Sequence, residues 1–405
     1  MVLSSQSGDR RRFHLARLAV IAFFFLNGVM TATLSARLPA VQTKLALPPS
    51  QLGLALLGCT VGGLVAMNIA GRLSGRFGSK VIMTSAAIGM GLALLLIAFA
   101  PTLPLLILAL VFFGAGSGAM DITMNIQGAD IERGYARPIF TSFYACFSVG
   151  SGVGALLGST LAAVNVNPEF HFTTIAVCAC VGIVWSSRFL LPSEPVLDVR
   201  RRQAQKTLSL HFSRPLILLG MIAFCALLSV GALFDWSAVY LSGTLHTGAG
   251  LAAAGFATFL VCMALGRSIG DSLVMRFGAA VLVRSACSLA AIGLALALTF
   301  AWTPVVLFGL GLAGIGLSVP FPLVLRATGH LSQQETGSIL ALVTTWGYVG
   351  MLAGPPVIGF VADRGGLRLA LALVVFLCVL AALCAPVTGI ADGKEGHAQS
   401  HAVAH

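Results

Sequence analysis

Long apolar runs separated by short polar breaks are the feature that most limits how this chain can fold. Only 9% of its 405 residues are Asp, Glu, Lys or Arg, and 58% are hydrophobic. Soluble domains carry about a quarter of their residues as charges, and about 20 apolar residues cross the hydrocarbon core of a bilayer. The sequence therefore predicts an all-α membrane protein with no large soluble domain.

Twelve apolar runs are long enough to span a bilayer, and one polar stretch divides them into two groups of six. The runs lie near residues 17–36, 50–71, 81–100, 104–127, 138–164, 171–191, 215–241, 250–270, 279–300, 304–325, 337–361 and 367–387. The polar stretch contains Arg200, Arg201, Arg202 and Lys206. We expect a cytoplasmic N-terminal tail (1–16), an N-terminal six-helix bundle (17–191), a cytoplasmic basic linker (192–214), a C-terminal six-helix bundle (215–387) and a cytoplasmic tail (388–405).

Lysine and arginine indicate the orientation, because these residues stay on the cytoplasmic side of short loops. With both termini in the cytoplasm, 20 of the 24 basic residues fall on cytoplasmic loops, helix ends or tails. The four that remain outside are Arg37, Lys44, Arg364 and Arg368. The opposite orientation would export the other 20, so we expect both termini to be cytoplasmic.

The two halves of the chain share short motifs at a nearly constant offset. Arg76-Phe77-Gly78 recurs 200 positions later as Arg276-Phe277-Gly278, and Gly150 matches Gly350 at the same offset. The glycines are spaced four residues apart, as in Gly150-x-x-x-Gly154, a pattern that lets helices approach closely. The offset changes along the chain, so the pattern suggests an internal duplication in which these glycines serve helix packing.

The loop after the second run resembles the signature loop of the major facilitator superfamily. It reads GRLSGRFGSK at residues 71–80, against a family pattern of Gly-x-x-x-Asp-Arg-x-Gly-Arg-Arg/Lys. Gly75 stands where the family has an aspartate that pairs with basic residues, and Asp271 is available in the second half. The cytoplasmic gate residues that the resemblance implies are Gly71, Arg72, Arg76, Gly78, Lys80, Arg267 and Asp271.

Two more segments, DITMN at 121–125 and DWS at 235–237, look like the fucose permease branch of the superfamily and its uncharacterised bacterial inner-membrane relatives. The resemblance implies two pseudo-symmetric six-helix bundles around a central cavity, alternating access, a small-molecule substrate and a place in the bacterial cytoplasmic (inner) membrane. The chain lacks the fourth-span Arg and the fifth-span Gly-Pro-x-x-Gly-Gly typical of drug/proton antiporters. Uptake or symport is therefore favoured over drug antiport.

Asp121 is one of two carboxylates inside the apolar runs, where an ionised side chain costs about 2.5 to 3.5 kcal/mol on insertion scales. Gly114, Gly118 and Asn125 fall within the same helical stripe as Asp121. Such a stripe suits a wet cavity in which Asp121 takes up a proton or accepts a substrate hydroxyl beside Asn125. The alternative is a structural hydrogen bond to a neighbouring helix.

Asp235, the second such carboxylate, is followed by Trp236 and Tyr240, which share a helix face. Three interpretations stay open. Asp235 could pair with Arg37 as an outer gate, it could contact substrate or proton with the two rings stacking on a sugar, or the rings could simply anchor the helix at the membrane interface. Secondary cavity candidates, each equally consistent with helix packing, are Asn27, Tyr144, Thr345, Trp346 and Tyr348.

Several functions are excluded or disfavoured by what the sequence lacks. It has no Gly-x-x-x-x-Gly-Lys-Ser/Thr loop for ATP, no His spacing typical of a metal site and no convergent catalytic set, so we expect neither enzyme activity, nor a cofactor, nor a bound metal. The net charge of +11 comes from cations that punctuate apolar runs, unlike the basic surface of a nucleic-acid binder.

The sequence thus predicts a monomeric secondary transporter in the lipid bilayer, moving a small sugar-like solute with protons as the coupling ion. An exporter of small amphiphilic compounds and a non-transporting membrane sensor are the alternatives. The short tails argue against a sensor with a soluble signalling domain.

Overall fold

A computed structural model describes residues 2–135, 139–192, 213–300, 302–331 and 336–389, and within these residues every regular element is a helix. The α-helices are α1 (Val2–Lys44), α2 (Pro49–Phe77), α3 (Ser79–Phe99), α4 (Leu103–Tyr135), α5 (Phe140–Ala163), α6 (Pro168–Ser187), α7 (Arg214–Gly243), α8 (Ala249–Phe277), α9 (Ala279–Thr299), α10 (Thr303–Leu317), α11 (Pro320–Leu331) and α12 (Thr336–Cys384). A short 3-10 helix, Ala385–Gly389, follows α12.

The helices account for the twelve predicted spans. Within the described residues, 11 segments are long and apolar enough to cross a membrane, and the last runs from Leu342 to Gly389 over 48 residues. A continuous helix of that length would measure about 72 Å, more than twice the hydrocarbon thickness. Gly366 breaks it with a φ of 77°. The break falls between the predicted runs 337–361 and 367–387, so this segment supplies two spans.

Several helix boundaries differ from those that hydropathy predicted. Helix α1 begins at Val2, inside the expected tail, and α4 continues to Tyr135, eight residues beyond the predicted end at residue 127. Hydropathy marks where a helix leaves the hydrocarbon, whereas the helix itself continues until a residue stops it. The linker at 193–212 and the tail at 390–405 lie outside the described residues.

Matching elements recur 200 residues apart, as the internal duplication predicts. Helices α3 and α9 are both 21 residues long. Each follows a glycine in the left-handed region, Gly78 with φ 82° and Gly278 with φ 79°, a conformation that glycine adopts without steric cost. Before each glycine an arginine lies over the adjacent phenylalanine ring, at 5.3 Å for Arg76 and 5.4 Å for Arg276.

The chain forms two compact units. The first comprises Met1–Leu47 and Leu54–Lys206, and the second comprises Pro48–Gly53 and Thr207–His405. The division between Lys206 and Thr207 falls in the predicted linker, in a segment outside the described residues.

Glycines bring α1 and α5 into backbone contact within the first unit. A Cβ atom on Gly150 would lie 2.1 Å from the backbone oxygen of Phe25, and one on Gly154 would lie 2.5 Å from that of Val29. Any side chain would therefore force the helices apart. In the second unit a Cβ on Gly350 would lie 2.4 Å from a backbone oxygen of α7. The packing role predicted for these glycines is confirmed.

Candidate functional site

A row of polar side chains follows one face of α4 in the first unit. Ser117, Asp121 and Asn125 are spaced four residues apart, which places them on successive turns of the same face, and all three are half-buried. The membrane-spanning part of α4 runs from Leu103 to Arg133. Asp121 is three residues from its midpoint, about 4.5 Å along the helix axis, so its carboxyl group lies near the middle of the span.

The first anchor of this face is Asn27 on α1, which is 4% exposed. Ser117 Oγ donates a hydrogen bond to Asn27 Oδ1 over 3.5 Å. Thr31 Oγ1 donates to the backbone oxygen of Asn27 at 2.8 Å and to its Oδ1 at 3.5 Å. The amide oxygen of Asn27 is thereby held by α4 and by its own helix, which fixes the direction of its NH₂ group.

The second anchor is Tyr144 on α5. Its hydroxyl donates to Asn125 Oδ1 at 3.1 Å, and its ring packs edge-on against Phe24 of α1 with centroids 5.4 Å apart. Tyr144 is 45% exposed, so its ring covers one side of the polar face without closing it. Helices α1, α4 and α5 therefore meet around one polar face, on which Asp121 lies between the two anchors.

Asp121 itself makes no hydrogen bond and no ion pair within the part of the chain that the structure describes. A bare carboxylate near the centre of a span is costly, and the cost falls if the group is protonated, hydrated or bonded to a solute. Because Asn27 and Asn125 are already positioned by other side chains, Asp121 is the member of the row whose hydrogen-bonding capacity is unused by the protein.

The predicted stripe of Gly114, Gly118, Asp121 and Asn125 is corrected in one respect. A Cβ atom on Gly114 would lie 1.8 Å from the backbone oxygen of Cys59, and one on Gly118 would lie 2.2 Å from that of Gly63. Both glycines therefore pack against α2. On a helical wheel Asp121 lies about 20° from Gly114, and Asn125 about 20° from Gly118, so spacing alone does not distinguish the positions that pack against α2 from those that carry the polar side chains.

In the second unit Asp235 is half-buried and has no hydrogen-bond or ion-pair partner among the described residues. Its neighbours Trp236 and Tyr240 are 0% and 2% exposed. The Tyr240 hydroxyl donates to the backbone oxygen of Ala297 at 3.5 Å. Neither ring presents a face to a solute in this conformation, because the face that they share is the one packed inside the unit.

Arg37 is buried in the first unit, where neutral groups accept its hydrogen bonds. Its Nε donates to His171 Nδ1 at 3.2 Å, and its Nη2 donates to the backbone oxygen of Val166 at 3.1 Å. His171 is 1% exposed, and its Nε2 has no partner in the described chain. Arg37 Nε and Nη2 are thus already bound to α6 and to the loop before it. The Arg37–Asp235 outer gate stays a prediction. No sequence signal marked His171.

Two other sets of candidates are only partly placed. On α12, Thr345 is exposed and Tyr348 is half-buried. The Trp346 ring covers Gly220 of α7, where a Cβ would lie 3.2 Å from the indole.

The predicted gate residues differ in exposure. Gly71 and Lys80 are half-buried, and Gly78 is buried at its turn. The exposed ones are Arg72, Arg76 and, in the second unit, Arg267. The side chain of Asp271 lies outside the described residues, so its pairing remains a prediction.

The fold and the polar mid-span site define an integral, multi-pass membrane transporter. The family model described as Major Facilitator Superfamily matches residues 20–312 and 239–403, and the chain belongs to this family. It is 32% identical over 369 residues to an uncharacterised transporter, y4wD, of Sinorhizobium fredii, covering 91% of this chain and 97% of that protein. This relative is named as a transporter and the family is one of transporters, so the chain is not an enzyme.

Solved structures share the architecture at low sequence identity. A bacterial homologue of the human lysosomal transporter Spinster superimposes with a TM-score of 0.73 at 14% identity, covering 93% of this chain and 97% of that one. The nucleoside transporter NupG superimposes with a TM-score of 0.71 at 11% identity, covering 92% and 98%. At these identities the likeness establishes the fold alone.

Proposed function

We propose that this chain is a secondary active transporter that moves a small polar, sugar-like solute by alternating access, coupled to protons in symport. The observation that carries the proposal is the position of Asp121: near the middle of α4, half-buried, and without a protein partner among the described residues. Intramembrane carboxylates of this kind mark substrate pathways and proton relays.

The flanking groups favour a solute with several hydroxyls. Asn27 and Asn125 are held by hydrogen bonds through their amide oxygens, which leaves their NH₂ groups to donate to solute oxygens while Asp121 accepts from a solute hydroxyl. A solute without such groups would leave these polar atoms unpaired, which weakens its binding. The resemblance of the 121–125 segment to the fucose permease branch also favours a polyhydroxy compound.

Proton coupling follows from the energetic cost of the Asp121 charge. With a proton on the carboxyl group and a solute bound, the site is neutral and its polar atoms are paired, so rearrangement of the helices around it is least costly. Release of the solute and the proton on the other side returns a carboxylate that must be hydrated or protonated again. The proton gradient thereby drives net uptake, with proton and solute bound in the same cycle.

The proposed setting is the bacterial cytoplasmic membrane, with both termini inside and the protein acting as a monomer. The 20-to-4 distribution of basic residues supports this orientation.

Substitution of Asp121 by Asn tests the proposal after a solute has been identified. A thermal-shift screen of the purified protein against sugars, sugar acids and small metabolites first finds a ligand, because binding to the native state raises the melting temperature. In proteoliposomes, Asp121→Asn should abolish pH-gradient-driven accumulation and retain exchange of labelled for unlabelled solute. Asp130→Asn is the matched control, since Asp130 lies near the end of the same helix and pairs with Arg133.

Full pH-gradient-driven accumulation by Asp121→Asn would refute proton coupling through this residue. If no sugar-like solute binds and everted vesicles accumulate small amphiphiles, the chain is an exporter and the proposed substrate class is wrong.

A further inference from the structure

A basic cavity lies at one end of the first unit, away from the polar site. It has a volume of about 450 Å³ and is lined chiefly by Arg12, Lys80, Arg188, Phe189, Pro192 and Leu15. The three cations come from different helices: Arg12 from α1, Lys80 from the first turn of α3, and Arg188 from the residue that ends α6. The fold therefore assembles three positive charges that are far apart in the sequence.

No side chain that the structure describes neutralises these charges. The lining residues include no Asp or Glu, and the ion pairs among described residues, Lys44 with Glu169 and Arg133 with Asp130, involve none of the three cations. None of their charged heads donates a hydrogen bond to a described residue. The cations repel one another unless an anion lies between them.

Lys80 stands at a helix end that already favours negative charge. Helix α3 has no acidic residue in its first turn, and no side chain caps the turn at Gly78. The N-terminal end of a helix carries a partial positive charge, so a cation there is unfavourable and an anion is stabilised. The dipole of α3 and the three cations thus both favour a negatively charged ligand.

The surroundings of the cavity place it at the level of lipid headgroups. Trp185 is 64% exposed and packs edge-on against Phe189 with centroids 5.4 Å apart. Exposed tryptophans are enriched where a span meets the membrane–water interface. The cavity therefore combines its three cations with apolar lining residues, among them Phe189, Leu15 and Pro192.

Two of the three cations are not repeated at the corresponding positions of the second unit. Ala280 and Thr388 lie 200 residues after Lys80 and Arg188, and neither carries a charge. Because α3 and α9 have the same length and the same glycine before them, the duplicated fold by itself does not require cations at these two positions.

We propose that this cavity binds the phosphate-bearing headgroup of an anionic phospholipid, with the acyl chains following the apolar surface beside Phe189. A free phosphate would also neutralise the cations. It has no acyl chains to contact the apolar lining residues, however, and it is not confined to the membrane interface that the exposed Trp185 indicates. Basic pockets between spanning helices bind anionic headgroups in this way.

Binding of dioleoyl phosphatidylglycerol to the full-length, delipidated protein in a neutral detergent tests the proposal, with native mass spectrometry to count bound lipid. Each basic residue near an anionic surface contributes to the free energy of lipid binding. We therefore expect Lys80→Gln to weaken binding about fivefold and Lys80→Gln/Arg188→Gln to weaken it roughly 25-fold. Lys80→Arg should retain binding. Arg276→Gln removes an exposed cation of the second unit and should leave binding unchanged.

Dioleoyl phosphatidylcholine and inorganic phosphate are the comparison ligands. The proposal requires tight binding of phosphatidylglycerol, weaker binding of phosphatidylcholine, and no displacement of the lipid by inorganic phosphate at equal concentration. Equal binding to wild-type protein and the double variant would overturn it. Displacement by inorganic phosphate would assign the cavity to a soluble anion and would also overturn it. If the double variant does not fold, the comparison of Lys80→Gln, which should weaken lipid binding, with Lys80→Arg, which should retain it, tests the proposal by itself.

Discussion

At the scale of single residues, His171 shows how a buried cation is kept in a span without a carboxylate. Arg37 Nε donates to His171 Nδ1, which requires the neutral imidazole with its proton on Nε2. An imidazolium would carry a proton on Nδ1 and would place a second positive charge against Arg37. The pair is stable only while His171 is neutral, so His171 acts as an acceptor in the packed interior.

We expect His171→Leu to lower the free energy of unfolding by about 1 to 3 kcal/mol, because it leaves a buried guanidinium donor without an acceptor. His171→Asn is the matched variant, since its side-chain oxygen can occupy the position of Nδ1, and it should lose less stability. Thermal unfolding of the two purified variants in detergent measures the difference. Equal losses would mean that ring packing, rather than the hydrogen bond to Arg37, is what His171 contributes.

Individual residues also show which features of the candidate site can be predicted from the sequence. Asp121 and Asn125 were predicted as cavity residues because intramembrane carboxylates are rare, and the structure places Asp121 without a protein partner in its described part. The bonds of Asn27 to Ser117 and of Asn125 to Tyr144 could not be predicted, because spans that are apolar on all sides carry no periodicity to fix their rotation. The burial of Trp236 was missed for the same reason.

At the scale of helices, the packing of α1 against α5 depends on particular glycines and not on glycine content. Four-residue spacing predicted the packing face, and the structure separates the essential positions from the tolerant ones. A Cβ on Gly150 would meet backbone at 2.1 Å, whereas one on Gly152, on the opposite side of α5, would meet nothing within 4 Å. The same helix therefore supplies both a test position and its control.

Gly150→Ala should lower the melting temperature and reduce transport, because the methyl group would overlap the backbone oxygen of Phe25 and the two helices cannot separate without losing contacts along their length. Gly152→Ala should leave stability unchanged or increase it by up to about 1 kcal/mol, since alanine favours the helix over glycine. Thermal unfolding and solute exchange in proteoliposomes measure both effects. A loss of similar size in the two variants would show that flexibility of α5, and not the close approach, is the requirement.

At the scale of the whole molecule, the four basic residues on the predicted outer side are mostly bound to the protein. Lys44 Nζ donates to the backbone oxygen of Ala98 at the end of α3 and pairs with Glu169. Arg368 Nη2 donates to the backbone oxygen of Thr299 at the end of α9. Cations near helix C-termini stabilise the last carbonyls. Lys44 in the first unit and Arg368 in the second therefore have a structural reason to lie on the predicted outer side, where lysine and arginine are otherwise rare.

Arg37 is the third such exception, and its hydrogen bonds to His171 and Val166 give it a comparable structural cause. Three of the four cations on the predicted outer side are thus held by local contacts, and the other 20 basic residues lie on the predicted cytoplasmic side. The orientation with both termini in the cytoplasm stays a prediction, and these contacts give its exceptions a structural cause.

Reporter fusions check the orientation directly. Alkaline phosphatase, which is active only outside the cytoplasm, should be active when fused after Val166, between α5 and α6, or after Thr102, between α3 and α4. Green fluorescent protein should fluoresce when fused after Lys206 or after the C-terminal His405, where alkaline phosphatase should be inactive. The same reporters after Gly78 provide an internal control at the predicted cytoplasmic end of α2. Phosphatase activity after His405 together with inactivity after Val166 would reverse the orientation and place the basic cavity in the outer leaflet.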